Sequence, residues 1–400
     1  PPDAPVVDQP DFNPPPVVDE PVLSPPPVAD PAPAPAPPAS GNGSLADSVL
    51  DKVKKATVYI RVTRGQAQAS GSGFFEASSG QVLTNAHVIG MLHGEEPPQK
   101  IDVVLRSGER DEKTLPGRIL AVDRVSDLAV LGVDVRTAGL DAPPAALTVA
   151  SAAGLRETQQ VFVFGFPFGE GLGKNITVST SSVSSLRRDK DGVLAQVQVN
   201  GGMNPGNSGG PVVDAAGNVV GVAVAIIRGT QINFAIPGDS VQAVFRGRCS
   251  GVSVGEAFRK GNKITVPVDV TAIDPMHRIR RFAIDWWTGD PGDSVPPSVT
   301  QPTAPSRQTA DVDYRPETMA GHVDLVLPAL PPAGRVLWVQ PNYVDGAGRS
   351  VWASGLPVPV ASPVDVKPAV LVLRPQAGKS HISLKSTATM QLRTSDGEQH

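Results

Sequence analysis

Between Ala56 and Pro237 the apolar residues fall in short runs: ATVYIRV, KIDVVLR, GRILAVD, DLAVLGVD, QQVFVFG, VLAQVQV and INFAIP. Gly, Pro and Asp separate them. Runs this short, punctuated this regularly and without βαβ alternation, predict an all-β barrel or sandwich. Two helices are expected at its ends. SLADSVLDKVKKA spaces Leu45, Val49 and Val53 on one helical face with Ser44 as N-cap, and DSVQAVFRG near Ser240 makes a closing helix. A second β region follows Arg248. NKITVPVDVTAI and RIRRFAIDWW alternate apolar and polar positions as half-buried strands do, and VLWVQPNYVDGAGRSVWAS reads as a hairpin turning at Asp-Gly-Ala-Gly. Residues 289–318 between them read as a polar, proline-rich loop. Trp286, Trp287, Trp338 and Trp352 all lie in this half, and core packing is the expected role for most of them.

Composition changes the picture mainly at the start. Sixteen of the first forty residues are proline, a content that favours extended polyproline II and excludes helix or central strand. With Phe12 as its one aromatic, the segment is expected to stay disordered, as a spacer rather than a domain. Residues 1–44 also hold six acids and no Lys or Arg; the whole chain is −4, so the remainder carries +2. That balance argues against nucleic acid as a partner, which would need a concentrated basic face. Cys249, the lone cysteine, excludes an intrachain disulfide and any cysteine-built zinc site. No apolar run is long enough for a transmembrane helix. The chain opens Pro-Pro rather than with Met and is read as a fragment or mature form.

The candidate chemistry sits in two stretches, GSGFFEASSGQVLTNAHVI and NPGNSGGPVVD. In the second, Gly206, Gly209 and Gly210 surround Ser208. Glycines there permit unusual backbone angles and bring amides close to a ligand, as acyl transfer by an activated serine requires. On its own such a turn is weak evidence. A serine nucleophile also needs an imidazole to take its proton and a carboxylate to orient that imidazole. His87 ends an apolar strand in LTNAHVI, and Asp127 begins the apolar strand of SDLAVLGVD, whereas Asp123, Asp134 and Asp141 read as turn residues. Each alone has an ordinary structural reading. Together, in the order His, Asp, Ser, they follow the chymotrypsin-type arrangement.

TNAHVI, SDLAVLGVD, GFPFG, NPGNSGGPVV and INFAIP, in that order, resemble the HtrA/Deg branch of the trypsin-like serine proteases over about residues 45–247. The resemblance implies a chymotrypsin-like double β-barrel with its site in the cleft between barrels. It implies His87 as general base, Asp127 as orienting carboxylate and Ser208 as nucleophile. The amides of Gly206 and Ser208, flanking Asn207, would form the oxyanion hole. Asn200, Gly201, Gly202, Met203 and Asn204 would line one wall of the specificity pocket. The strand Ala223–Ile227, with Ala223, Val224 and Ala225, would pair with an extended substrate by strand addition. No acid precedes Ser208 in VNGGMNPGNS, which argues against Arg or Lys at the cleaved position and for a small or medium apolar residue.

The chain departs from that family after Arg248, where no PDZ carboxylate-binding loop is found. Residues 248–400 are expected to form a β-sandwich-like domain of unknown partner, ending in a polar tail at 394–400. The RVTRGQAQASGSG loop is short, so the family's trimer is not assumed, though a homo-oligomer stays open. LRRDKDG at 186–192 reads as an exposed hairpin tip. The chemistry needs no metal or organic cofactor. Two function classes stand: an endopeptidase acting on unfolded or exposed protein segments, and a non-catalytic peptide-binding scaffold on the same fold. An esterase is a weaker third. The acidic, proline-rich start suits an exported bacterial protein of the periplasm or cell envelope, tethered through sequence preceding Pro1.

Overall fold

The computed structural model describes residues 44–77, 80–94, 96–143, 145–167, 174–189, 192–226, 232–361 and 363–365. The spacer expected over 1–44 lies outside these residues except for Ser44, as do the tail, Phe168 and Gly169 of GFPFG, Lys190 and Asp191 of LRRDKDG, and Ile227. Among the described residues no helix is long and apolar enough to cross a membrane.

The first barrel closes in the order β1-β2-β3-β6-β5-β4. Its strands are β1 (Thr57–Arg64), β2 (Ala67–Phe75), β3 (Val82–Thr84), β4 (Lys100–Leu105), β5 (Lys113–Asp123) and β6 (Leu128–Val133). The second closes as β10-β11-β12-β9-β8-β7. It is built from β7 (Gln160–Gly165), β8 (Thr177–Arg188), β9 (Leu194–Asn200), β10 (Pro211–Val213), β11 (Val219–Ile226) and β12 (Ile232–Pro237). Side chains alternate between faces with period two, and here both faces are covered. Phe75, Val82, Ala129 and Leu131 fill the first barrel, and Val161, Val163, Val212 and Ala223 the second. Their neighbours Phe74, Leu83, Leu128, Val130, Phe162 and Phe164 meet in a separate core between the barrels. This is why those strands read as continuous apolar runs. Each such side chain, fully buried, stabilises the fold by about 1.5–3 kcal/mol.

Helix α1 (Asp47–Ala56) packs Val53 into that inter-barrel core, and α2 (Gly238–Arg246) adds Val241, Val244 and Phe245. The helix start differs from expectation. Its N-cap is Ala46, which gives no side-chain cap, and Ser44 lies two residues earlier. Leu45 and Leu50 join the same core cluster in the positions of a hydrophobic staple, so apolar burial sets the helix entry where a hydroxyl cap was expected.

Eleven strands follow among the described residues. One six-stranded sheet combines β13 (Arg248–Val254), β14 (Phe258–Lys260), β15 (Lys263–Ile273), β18 (Asp313–Arg315), β19 (Ala320–Leu327) and β23 (Val364–Asp365). A five-stranded sheet combines β16 (Arg281–Gly289), β17 (Gln308–Asp311), β20 (Val336–Val344), β21 (Ser350–Trp352) and β22 (Leu356–Val358). Val266, Val268 and Leu325 of one sheet share a core with Phe282, Ile284 and Leu337 of the other, giving the β-sandwich. The β20–β21 hairpin forms where expected, Asn342 opposite Trp352. Two expectations fail. The loop 289–318 contains β17 and β18, and β16 is buried on both faces. The second face of β16 is covered by Arg307, which bonds Asp285 at 2.7 Å and lies 4.8 Å over the Trp287 ring. Trp287 in turn stacks on Trp338 with ring centroids 6.0 Å apart.

Candidate active site

His87 lies in the turn that follows β3, and Asp127 in the turn between β5 and β6. Since β3 and β6 are hydrogen-bonded neighbours, with Thr84 opposite Ala129, the two turns emerge side by side. The His87 ring Nδ1 is 2.6 Å from Asp127 Oδ2, and the His87 amide donates to Asp127 Oδ1 at 2.9 Å. Asp127 is held from behind as well: its carbonyl accepts from Asn85 Nδ2 at 2.8 Å and from the Ala86 amide at 3.2 Å. Its φ of +52° is a left-handed conformation that a non-glycine residue keeps when neighbours hold it there. The His87 side chain is 35% exposed and that of Asp127 16%, so one edge of the imidazole stays open.

Ser208 sits between β9 and β10, on the turn the glycines shape. The Gly206 φ is +103°. At Gly209, with φ +84°, a β-carbon would run into the Ser72 carbonyl and the Thr84 hydroxyl. The serine turn therefore packs directly on the strand end that leads to His87. The Ser208 carbonyl accepts from the Ser72 amide at 2.8 Å. A β-carbon on Gly71 would touch both that carbonyl oxygen and Val88, the residue after His87. The structure thus brings the three predicted residues to one seam between the barrels.

Among the described residues neither the Gly206 nor the Ser208 amide donates a hydrogen bond, whereas the Asn207 amide is taken by the Asn204 carbonyl at 3.0 Å. The buried Asn207 side chain reaches the Gly202 carbonyl with Nδ2 at 3.4 Å and leaves Oδ1 without a partner. The Ser208 hydroxyl donates to the Val224 carbonyl at 3.3 Å. No hydrogen bond among the described residues joins it to His87.

The remaining predicted residues divide in two groups. Asn200 ends β9, and its carbonyl and that of Gly201 accept from the Ser181 hydroxyl at 3.1 and 3.0 Å. Met203 turns its side chain into the core of the second barrel. Ala223 exchanges backbone hydrogen bonds with the serine turn, donating to Gly210 at 3.0 Å and accepting from Gly209 at 2.8 Å. The register shifts between Ala223 and Ala225, so Val224 is the residue bulged out of the pairing with β12. Ser72, Asn85 and Asp123 were not picked out from the sequence. A signal for Ser72 was present, a serine confined between Gly71 and Gly73 in the first informative stretch.

The profile of the trypsin-like peptidase domain matches residues 71–222. "Protease Do-like 1, chloroplastic" of Arabidopsis thaliana is 32% identical over 54% of this chain and 45% of its own length. "Serine protease HTRA3" of Mus musculus is 30% identical over 48% and 42%. The chain therefore spans under half the length of these curated relatives. A crystal structure of Deg5 is similar at 28% identity over 49% of this chain and 89% of its own, with a TM-score of 0.40.

Proposed function

We propose that the protein is a serine endopeptidase of the HtrA/Deg type working through His87, Asp127 and Ser208, a reading supported by the trypsin-like peptidase profile over residues 71–222 and by the similar serine proteases. The observation that carries the reading is the His87–Asp127 pair at 2.6 Å, on the seam where the glycine-shaped Ser208 turn packs. With Nδ1 bonded to Asp127, Nε2 is the nitrogen left to act as base. The Ser208 hydroxyl exchanges Val224 for His87 Nε2, gives up its proton and attacks the substrate carbonyl. The oxyanion of the tetrahedral adduct accepts from the two undonated amides, Gly206 and Ser208. His87 then passes the proton to the leaving amine as the C–N bond breaks, and water, deprotonated by His87 in the same way, attacks the acyl-enzyme, freeing the acid product and returning the proton to Ser208.

The bulged carbonyl of Val224 and the neighbouring β11 edge serve an extended substrate by strand addition. A small or medium apolar side chain enters beside Asn200–Asn204, and the substrates are unfolded or exposed protein segments. The reading divides the chain into a spacer over 1–44, the peptidase over 45–247 and a sandwich over 248–400. It goes with an exported setting. One observation favours a resting or binding-only protein instead, the Ser208 hydroxyl lying on Val224.

The test compares the chain with Ser208→Ala for fluorophosphonate labelling and for hydrolysis of casein and labelled peptides. Labelling and hydrolysis that both vanish in the variant support the endopeptidase. Neither signal in the unmodified chain would overturn it in favour of the binding protein. A peptide library cleaved only after basic residues would overturn the proposed specificity.

A further inference from the structure

One buried carboxylate of the peptidase half has no part in that mechanism. Asp123 closes β5, and its side chain is 2% exposed. Its Oδ1 accepts from the amides of Val125 and Ser126, both at 3.2 Å, the two residues immediately before Asp127. Its Oδ2 takes the guanidinium of Arg248, with Nε at 3.1 Å and Nη2 closer still. Arg248 is the first residue of β13 and so belongs to the sandwich, 125 positions away along the chain. Asn85, Ala86 and His87 hold the Asp127 end of the turn, whereas Asp123 holds its start. Val125 is 84% exposed, and Arg124 reaches out to the Gly94 carbonyl.

The seam around Arg248 is packed. Ile273 of β15 lies in the same core cluster as Phe245 of α2, with Met276 and Met319 against it. The Gly346 amide donates to the Arg246 carbonyl at 2.7 Å, and Arg278 Nη1 reaches the Phe245 carbonyl at 3.4 Å. The sandwich is thus built onto the barrels at the point where Arg248 enters.

We propose that Arg248 is a positioning residue for the triad: its ion pair with Asp123 holds the turn 123–127, and so keeps Asp127 against His87. The C-terminal sandwich thereby sets the reactivity of the peptidase site, an inference that rests on Asp127 being the triad carboxylate. A buried carboxylate deprived of its cation is costly. Without the guanidinium Asp123 relieves that cost by swinging to solvent. Swinging out releases the amides of Val125 and Ser126, and Asp127, held in a left-handed conformation, loses the near end of its support.

The experiment uses the full chain with Arg248→Met, Arg248→Lys, Asp123→Asn and the double variant Asp123→Asn/Arg248→Met. Two quantities are read: kcat and KM for peptide hydrolysis, and the far-downfield proton NMR signal of the His87 Nδ1–H bonded to Asp127, which needs no turnover. Arg248→Met is expected to lower kcat by about tenfold to a hundredfold with little change in KM, and to shift or broaden the NMR signal. Arg248→Lys should recover part of the loss, and Arg248→Met should cost little more once Asp123 is already Asn. A folded Arg248→Met chain with kcat and NMR signal both unchanged would overturn the proposal. If that variant does not fold, Arg248→Lys and Asp123→Asn carry the same comparison, and two unchanged signals again overturn it. A signal that moves in a chain hydrolysing no peptide supports the positioning role while defeating the peptidase reading.

Discussion

The Ser72 hydroxyl donates to the Gly206 carbonyl oxygen at 2.7 Å, a bond spanning 134 positions that ties the first barrel to the turn holding Ser208. The Ser72 hydroxyl oxygen itself accepts from the Phe166 amide at 2.9 Å, and the Ser72 carbonyl accepts from the Thr84 hydroxyl at 2.7 Å. Ser72 is fully buried, so water cannot replace it.

Ser72→Ala leaves the half-buried Gly206 carbonyl and the buried Phe166 amide without these partners, and should destabilise the fold by about 1–3 kcal/mol. It also frees the Gly206 peptide, whose amide the proposed mechanism aims at the oxyanion. We expect kcat to fall at least about tenfold, short of the 10²–10³ that follows outright loss of an oxyanion donor. Urea unfolding and steady-state kinetics separate the two effects. A stability loss with kcat intact would make Ser72 a structural residue only.

Asp127→Asn tests the triad from the other side. The carboxylate accepts from both the His87 amide and ring Nδ1. An amide side chain has one acceptor oxygen and would present N–H to one of those donors, favouring the wrong imidazole tautomer. The expected loss in kcat is about 10³–10⁴-fold with the fold intact. A loss below tenfold would remove Asp127 from the proposed role.

How much of this was legible beforehand varies with the reach of each interaction. The three chemical residues stood out because their motifs are local: glycines beside Ser208, an apolar strand running into His87, another running out of Asp127. The barrels were legible because period-two burial on both faces leaves short apolar runs. Asp123 read as a turn residue, whereas it ends β5, and its carboxylate is partnered by Arg248, far off in sequence. The alternation expected in β16 failed for the same reason, since Arg307 arrives from the following loop to cover the second face. Ser44 satisfied a helix-start pattern that the burial of Leu45 overrode.

Acid should weaken the seam at Asp345. Burial pushes that carboxyl up, but the Arg349 amide and guanidinium and the Ala347 amide outweigh it, leaving it below its ordinary 3.8. The folded chain then binds this proton less tightly than the unfolded one. Its contribution is present above the ordinary value and is lost as the pH falls through the lowered one. Asp345→Asn should therefore be less stable than the unmodified chain at neutral pH, with the gap narrowing as the pH falls below 3.8. Equal urea midpoints at neutral pH would refute this.

Cys249 should be slow to react. Burial pushes its thiol from 9.0 up to about 11, against smaller opposing effects of the Gly251 backbone and the Arg248 charge. At mildly alkaline pH the thiolate is about 100-fold scarcer than for an ordinary cysteine. Iodoacetamide should alkylate the native chain about that much more slowly than the urea-unfolded chain. Similar rates in the two states would contradict the burial.

All four tryptophans of the chain lie in the sandwich, with Trp287 stacked on Trp338 beneath the Arg307 guanidinium. The barrels carry none, so tryptophan emission is a private optical reporter of the C-terminal half, while any hydrolysis reports on the N-terminal half. One titration with urea thus yields two independent curves from a single unlabelled chain. With Ile273 in the inter-barrel core and Arg248 beneath the turn of the first barrel, those curves should share a midpoint, marking barrels and sandwich as one cooperative unit.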